Sequence, residues 1–167
     1  MITLNTMIIA LYFFMPAYIA NFFAGFGSGK SLDFGLSFFD GRRILGDGVT
    51  IKGFFIGIVS GSASIILFNI LRSSALMTDL YLAFLLSSGA LLGDALGSFI
   101  KRRLGMEQGE SAPLLDQLDF VFGGLFIATF VVTIPLDWIV VLILLTPLGH
   151  LTVNFVGFRL KMKEVPW

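Results

Sequence analysis

Residues 93–103 read Gly93-Asp94-Ala95-Leu96-Gly97-Ser98-Phe99-Ile100-Lys101-Arg102-Arg103 and close an apolar run that begins near residue 80. The run is apolar enough to lie in a membrane, yet a carboxylate stands close to its end and three basic residues follow. A carboxylate at membrane depth opposes insertion by roughly 2.5–3.5 kcal/mol even on the gentlest scale, which makes it a functional candidate. The stretch therefore predicts a transmembrane helix over about 80–100, with Asp94 and Lys101 on nearly the same face.

Composition places the rest of the chain in the same class. Of the 167 residues, 56% are hydrophobic and 13% are charged, and the mean hydropathy is +0.93. Such values indicate an integral membrane protein, and the length accommodates about five spans of ~20 residues with two long loops. Cysteine is absent, which excludes disulfides, thiolate metal sites and cysteine nucleophiles. A net charge of zero gives no indication of a nucleic-acid partner.

The apolar runs predict an all-α membrane protein with five transmembrane helices in a single domain over residues 1–167. The predicted spans are about 4–26, 53–71, 80–100, 114–133 and 139–158, and the long loops are 27–52 and 101–113. The first span is longer than the apolar region of a signal peptide and has no basic segment before it. Small residues on the second span suit close helix packing and leave an oligomer open. They are Gly57, Ser60, Gly61 and Ser64.

The basic residues predict the orientation of these spans. One side of the five-span arrangement receives ten of the eleven, and only Arg72 falls opposite. The ten are Lys30, Arg42, Arg43, Lys52, Lys101, Arg102, Arg103, Arg159, Lys161 and Lys163. By the positive-inside rule the N-terminus is outside and the C-terminus inside, so both long loops are cytoplasmic. We expect a multi-pass protein of the cell membrane with its site on the cytoplasmic side.

Three carboxylates meet at that boundary in the predicted topology. Asp116 and Asp119 are three residues apart and share one side of the start of the fourth helix, near the end of the helix that carries Asp94. Capping of a helix N-terminus explains one such acid but not all three. Oxygen ligands without histidine or cysteine favour a hard cation, Mg²⁺ before Zn²⁺. Together with nearby basic residues that neutralise phosphate charge, they indicate nucleotidyl or phosphoryl transfer to a lipid.

The first long loop has the composition of an anion site. Within it stands Phe39-Asp40-Gly41-Arg42-Arg43-Ile44-Leu45-Gly46-Asp47-Gly48-Val49-Thr50. Glycines let backbone amides approach an anion closely, and arginines add forked donors. A solvated loop with turn glycines fits the same composition. The chain has no Walker-type pattern, and its single histidine makes a serine-histidine triad improbable.

Two motifs resemble the signature of the membrane CTP-dependent phosphatidate cytidylyltransferases. They are Gly93-Asp94-x-x-Gly97-Ser98-x-x-Lys101-Arg102 and Asp116-Gln117-Leu118-Asp119. The compact length and the string from Asp33-Phe34-Gly35 to Gly48 are similar to the archaeal branch, the CDP-archaeol synthases. The resemblance implies Mg²⁺-dependent transfer of CMP from CTP to 2,3-bis-O-geranylgeranylglyceryl phosphate, a prenyl-ether lipid, with release of pyrophosphate. We expect direct displacement, because the lipid phosphate is already an anionic nucleophile.

The resemblance also implies roles for individual residues. The catalytic group comprises Asp94, Lys101, Asp116 and Asp119, of which the three aspartates would bind the metal. Nucleotide and phosphate contacts fall to Asp40, Arg42, Arg43, Asp47, Lys52, Ser98 and Arg102. One departure stands out, because the family usually reads Asp-Gly-Lys-Thr followed by Trp-Arg-Gly. Here the positions are Asp47-Gly48-Val49-Thr50 and Ile51-Lys52-Gly53, so a lysine is missing at 49 and Lys52 keeps the charge usual for arginine.

Three other functions fit parts of the sequence. The first is phosphatidate cytidylyltransfer to an ester lipid. The second is a CDP-alcohol phosphatidyltransferase, which Asp40-Gly41-Arg42-Arg43 matches only loosely and which expects aspartate where Gly97 stands. The third is a small cation transporter that uses Asp94. Metal-dependent release of pyrophosphate from CTP in the presence of a lipid phosphate distinguishes cytidylyl transfer from the second and third.

Overall fold

The computed structural model describes residues 2–69 and 76–159, and five α-helices account for all regular secondary structure in these ranges. The helices are α1 Leu4–Ala24, α2 Ile51–Asn69, α3 Leu76–Arg103, α4 Leu115–Ala128 and α5 Leu136–Arg159. Each lies on one of the predicted spans, so the all-helical fold is confirmed. Arg72, Lys161 and Lys163, used above for orientation, lie outside the described residues.

The helix bounds differ from the predicted spans chiefly at α3 and α4. Helix α3 has 28 residues and includes the whole basic cluster at its end. Helix α4 has only 14 residues, or about 21 Å, which is short of the ~30 Å hydrocarbon core. It ends at Ala128 and not near 133, because the β-branched run from Val131 to Ile134 and the following Pro135 disfavour helix. Helix α5 then begins at Leu136.

By length and composition, two helical segments of the described ranges are able to cross a membrane. They are Leu4–Ala24 and Asp79–Arg103, and shorter apolar segments run over Ile51–Ile66 and Leu136–Thr152. Many large apolar side chains on the helix exteriors are exposed, among them Phe55, Leu96, Phe126 and Leu144. An apolar exterior of this kind suits contact with lipid.

Glycine faces bring α1, α2 and α3 into close contact. A β-carbon at Gly53, Gly57 or Gly61 of α2 would collide with the α1 backbone, at the carbonyl oxygens of Ala24, Ala20 and Pro16 respectively. The predicted packing role of Gly57 and Gly61 is therefore met inside the chain, where α1 covers this face. The face is not free to pair with a second copy.

Side-chain contacts give the direction of α5. The rings of Phe13 and Trp138 lie 5.3 Å apart, and the hydroxyls of Tyr18 and Thr146 are hydrogen-bonded at 2.6 Å, so α5 runs parallel to α1. Successive helices from α1 to α4 are antiparallel. One end of the bundle therefore holds the α1–α2 loop (residues 25–50), the α3–α4 loop (residues 104–114) and the end of α5, and we call it the loop end.

Candidate active site

The closest helix contact in the bundle places Asp119 of α4 against α3. A β-carbon at Gly97 would collide with the Asp119 carboxylate, and one at Gly93 would collide with the Asp119 backbone carbonyl. One turn further along, Gly123 meets the backbone of Gly89 and Gly93 in the same way. The Gly93-Asp94-x-x-Gly97 motif is thus the surface on which α4 packs. Its glycines allow the Asp119 carboxylate to lie directly on α3.

Asp116 stands one turn before Asp119 and pairs with Lys101. The Lys101 Nζ lies 2.6 Å from Asp116 Oδ1, and both side chains are about one-fifth exposed, at 17% and 26%. The other oxygen of Asp116 accepts a hydrogen bond of 2.8 Å from the backbone amide of Ala112. Both oxygens of Asp116 therefore have protein partners, and the pair joins the end of α3 to the start of α4.

Asp94 lies near enough to Asp119 for the two carboxylates to interact electrostatically, and it also lines a space that Asp119 does not line. It lines a polar cavity of about 230 Å³ between α1, α2 and α3, together with Asn21, Gly48, Val49 and Thr50. Among the described residues it has no hydrogen-bond or ion-pair partner, and it interacts electrostatically with Lys101, Asp116 and Asp119. Asp94 is thus a half-buried acid with unused acceptor capacity at the wall of this cavity.

Val49, where the family usually has lysine, is 7% exposed and lines this cavity. Its carbonyl accepts a 2.8 Å hydrogen bond from the Leu32 amide. Valine at 49 thus serves to pack the loop, and Lys52 lies exposed at the start of α2.

The three predicted metal ligands do not form a ready cluster. Asp94, Asp116 and Asp119 are near enough to interact electrostatically with one another and with Lys101. Even so, within residues 2–69 and 76–159 no group of three acidic or histidine side chains is placed to hold a metal ion. This donor set still fits Mg²⁺, which binds through one or two carboxylates plus substrate phosphates and not through an all-protein cage.

An apolar groove leads to Asp119 from the outside of α3 and α4. It has a volume of about 450 Å³, and among the described residues Asp119 is the one charged residue that lines it. The remaining lining includes Leu96, Ile100, Leu115, Phe122 and Phe126. A groove of this composition suits a hydrocarbon chain, and its wall includes one carboxylate.

The two long loops meet at a basic cavity of about 440 Å³. Arg42, Arg43, Asp47, Arg102 and Gln108 are among the residues that line it. The Asp47 amide donates to Gln108 Oε1 at 3.1 Å, which ties the loops together. Arg102 donates from Nη1 to the Met106 carbonyl at 2.7 Å, whereas its buried Nε has no partner among the described residues. Arg102 therefore lines the basic cavity with one donor that has no partner among the described residues.

Arg42 of the predicted phosphate site and Arg103, which was not among the predicted site residues, join the α1–α2 loop to α3. Arg42 Nη1 donates to the carbonyls of Arg102 and Arg103 at 3.3 and 2.9 Å, at the end of the helix. Arg103 in return lies 3.2 Å from Asp40 and donates to the Arg43 carbonyl. Cations at a helix C-terminus are stabilised by the helix dipole. Ser98 is half-buried on α3, one turn after Asp94.

Asp33, which was not among the predicted site residues, organises the α1–α2 loop. Its side chain is fully buried and accepts hydrogen bonds from the amides of Gly35, Leu45 and Gly46 at 2.9–3.0 Å. Arg43 adds two more, at 2.8 and 3.3 Å, and also pairs with Asp47 at 2.8 Å. Burial alone would raise the pKa of Asp33, but the bonds from Arg43 and the three amides hold it well below its usual range. The carboxylates of Asp33 and Asp47 raise the pKa of Arg43 above its usual range.

Known proteins with similar sequences and structures form one group. A family model described as CarS-like, CDP-archaeol synthase, matches residues 3–167. The CDP-archaeol synthase of Methanocaldococcus jannaschii is 44% identical over 169 residues, covering 95% of this chain and 96% of that protein. The one from Methanopyrus kandleri is 47% identical over 163 residues, covering 94% and 91%. A solved structure described as an intramembrane enzyme for archaeal membrane lipids biosynthesis has a TM-score of 0.80 at 39% identity, covering 87% of this chain and 92% of that one.

Proposed function

The chain belongs to the CDP-archaeol synthase family, and from this premise we propose that its reaction takes place where Asp94 and Asp119 flank the last turns of α3. The reaction is CTP-dependent cytidylyl transfer in archaeal lipid synthesis. The acceptor we propose is the phosphate of 2,3-bis-O-geranylgeranylglyceryl phosphate. A phosphate oxygen of this lipid attacks the α-phosphorus of CTP, the bond from that phosphorus to the bridging oxygen breaks, and pyrophosphate leaves with the electron pair.

The observation that carries this proposal is that the polar cavity and the apolar groove both lie against α3. Asp94 faces the polar cavity, which Gly48, Thr50 and Asn21 also line. Asp119 lines the apolar groove. A nucleotide phosphate suits the polar cavity and a prenyl chain suits the groove, so the two substrates approach one short segment of α3 from different sides. Positioning of this kind is the main requirement of phosphoryl-type transfer, which needs little covalent chemistry from the protein.

The phosphate contacts divide into direct and supporting ones. We assign direct contact to Arg102, whose Nε lacks a partner, and to the exposed Lys52. Arg42 and Arg43 act by holding the α1–α2 loop, because their guanidinium groups already bond to helix carbonyls and to carboxylates. Asp116 holds Lys101 by the pair described above, so that the ammonium lies beside the two other acids.

Mg²⁺ is the metal we propose, with Asp94 and Asp119 as its protein ligands. Phosphate oxygens and water would complete its coordination, and the ion would neutralise charge that builds on the leaving pyrophosphate. Chelation with EDTA should abolish turnover, and Mg²⁺ should restore it where Zn²⁺ does not. Full activity after exhaustive chelation would contradict this part of the proposal.

The orientation is also a proposal, and the parallel course of α1 and α5 supports it. The loop end holds Lys30, Arg42, Arg43, Lys52, the cluster at 101–103 and Arg159, which are all the basic residues that the structure describes. We infer that five helices enter the bilayer, that the loop end is cytoplasmic, and that CTP reaches the site from that side. Helix α4 enters from the loop end, and its 14 residues carry it only part of the way across.

The test is an assay of the purified protein in detergent with each of the four nucleoside triphosphates. The acceptors are a prenyl-ether glycerol phosphate and its ester counterpart. We expect pyrophosphate release only with CTP and the ether lipid phosphate together. Release from CTP without lipid, or equal rates with all four nucleotides, would contradict the proposal. Direct displacement predicts no radiolabelled protein after incubation with CTP labelled at the α-phosphate, and a trapped covalent nucleotide would refute it.

A further inference from the structure

A short hairpin of the α1–α2 loop carries four large apolar side chains that are mostly exposed. Its two arms are joined by hydrogen bonds from the Phe38 amide to the Arg42 carbonyl, 2.7 Å, and from the Ile44 amide to the Leu36 carbonyl, 3.0 Å. Phe39 at the tip is 100% exposed and Phe34 is 70% exposed. We call residues 34–44 the Phe39 hairpin. None of Phe34, Leu36, Phe38 and Phe39 lines the polar cavity, the basic cavity or the apolar groove.

The hairpin lies against the outer surface of the helices. The Phe38 ring is 5.4 Å from the ring of Phe99 on α3, and the Arg103 guanidinium lies 4.8 and 4.9 Å from these two rings. Leu45, which follows the hairpin, lines an apolar cavity of about 360 Å³ with Leu96 and Phe126. Leu96 and Phe126 are exposed on the helix exterior, where lipid is the expected neighbour. The hairpin is therefore continuous with the lipid-facing surface and level with the last turns of α3.

The backbone holds one of these rings outward at a conformational cost. Phe34 has a φ of 53° and Gly35 has a φ of 82°, and the Gly35 amide is fixed by a 3.0 Å hydrogen bond to Asp33. A bulky residue in the left-handed region is strained and persists only where its surroundings impose it. In water this arrangement would expose an aromatic ring without any compensating contact.

The charged side chains of the hairpin already have partners within the protein: two are in ion pairs and Arg42 is hydrogen-bonded. Asp40 pairs with Arg103, Arg43 pairs with Asp33 and Asp47, and Arg42 donates to helix carbonyls. Paired charges oppose entry into a headgroup layer less than free ones, while exposed phenylalanines favour the boundary between headgroups and acyl chains. The apolar tip, the partnered charges and the position of the hairpin therefore all indicate that its neighbour is lipid.

We propose that the Phe39 hairpin is a membrane wedge, in which Phe34, Leu36 and Phe39 insert into the headgroup and acyl boundary of the leaflet at the loop end. The wedge attaches the α1–α2 loop to the bilayer through a surface separate from the nucleotide and lipid sites. It goes beyond the cytidylyl transfer reaction and does not depend on it.

The absence of cysteine in the chain makes a clean test available. Single variants Phe39→Cys, Glu107→Cys and Phe126→Cys are spin-labelled in the full-length protein, which is reconstituted in liposomes of phosphatidylcholine and phosphatidylglycerol. Glu107 is exposed on the α3–α4 loop and serves as the aqueous control, and Phe126 is exposed on α4 and serves as the lipid control. Collision rates with oxygen and with a water-soluble nickel complex then report the depth of each label. Phe39 is fully exposed, so its replacement removes little packing.

The wedge predicts that the Phe39 label resembles the Phe126 label. Its collision rate with the nickel complex should be several-fold below that of the Glu107 label, and its collision rate with oxygen should be correspondingly higher. A nickel collision rate equal to that of the Glu107 label would overturn the proposal. Dipolar broadening between Phe39 labels of two chains would also overturn it, because a second copy would then cover the hairpin.

Discussion

Replacement of Gly97 by alanine tests whether the contact between α3 and α4 sets the position of Asp119. A β-carbon at 97 would lie 2.9 Å from the Asp119 carboxyl carbon and closer still to one carboxylate oxygen. An ordinary contact begins near 3.4 Å, so the carboxyl carbon must retreat by about half an ångström and the oxygen by more. A misplacement of about 1 Å in an active site can reduce a rate ~10²-fold. We expect kcat to fall on the order of ten- to a hundredfold.

Stability should change less than activity. Alanine in a helix interior gains about 0.8–1.0 kcal/mol over glycine, while overpacking costs about 1–3 kcal/mol. The net loss is then at most about 2 kcal/mol, and the protein should remain folded. The matched control is Gly149→Ala on α5, where an added β-carbon meets nothing within 4 Å.

The assay measures kcat and KM for CTP in detergent, together with the thermal unfolding midpoint of each variant. We expect Gly149→Ala to keep normal turnover and a midpoint at or above that of the wild type. If Gly97→Ala were as active as Gly149→Ala, the position of Asp119 against α3 would have no part in the reaction, and this reasoning would fail.

Two further predictions concern ion pairs at the loop end. Because the pKa of Asp33 lies below its unfolded value of about 3.9, its stabilising effect is full above that pH and is lost as the pH falls further. Asp33→Asn should therefore unfold more easily than the wild type at pH 7, with the difference shrinking below about pH 4. The unfolding midpoints of the wild type and Asp33→Asn, measured from pH 7 to below about pH 4, test this prediction. A difference between the two midpoints that stays constant with pH would contradict it. The effects of Lys101→Met and Asp116→Asn on the free energy of unfolding should be non-additive, with a coupling of about 0.5–3 kcal/mol in a double-mutant cycle. Additive effects would show that the ion pair between Lys101 and Asp116 does not contribute to stability.

The sequence predicted the helices well because apolar runs of span length have few alternative structures. It located Asp94, Asp116 and Asp119 near one boundary, since the loop between two antiparallel helices brings the end of one to the same side as the start of the next. It did not predict that α4 stops at Ala128. Hydropathy rates the run Val131 to Ile134 as apolar whether it is helical or extended, and only the β-branched residues before Pro135 indicated otherwise.

Roles within the loops were harder to predict from sequence. Asp33 receives its hydrogen bonds from residues up to 13 positions away, and that pairing depends on how the whole loop folds. Its place before Phe34-Gly35 is a turn signal, since aspartate side chains often bond the amide two residues on. Arg42 and Arg102 look alike in sequence, yet Arg42 bonds to helix carbonyls while Arg102 keeps an unused donor. The glycines of α2 predicted a face for close helix packing, but they did not indicate that α1 would pack against it.

The most direct test of the central claim, that Asp94 and Asp119 lie where nucleotide and lipid meet, is the rate of pyrophosphate release by aspartate-to-asparagine variants. The control is Asp137→Asn, since Asp137 lies at the start of α5, at the opposite end of the bundle. With CTP, the lipid phosphate and Mg²⁺ all saturating, we predict that Asp94→Asn and Asp119→Asn lose turnover while Asp137→Asn retains it. Turnover of Asp94→Asn and Asp119→Asn equal to that of Asp137→Asn, in protein shown to be folded, would contradict the claim.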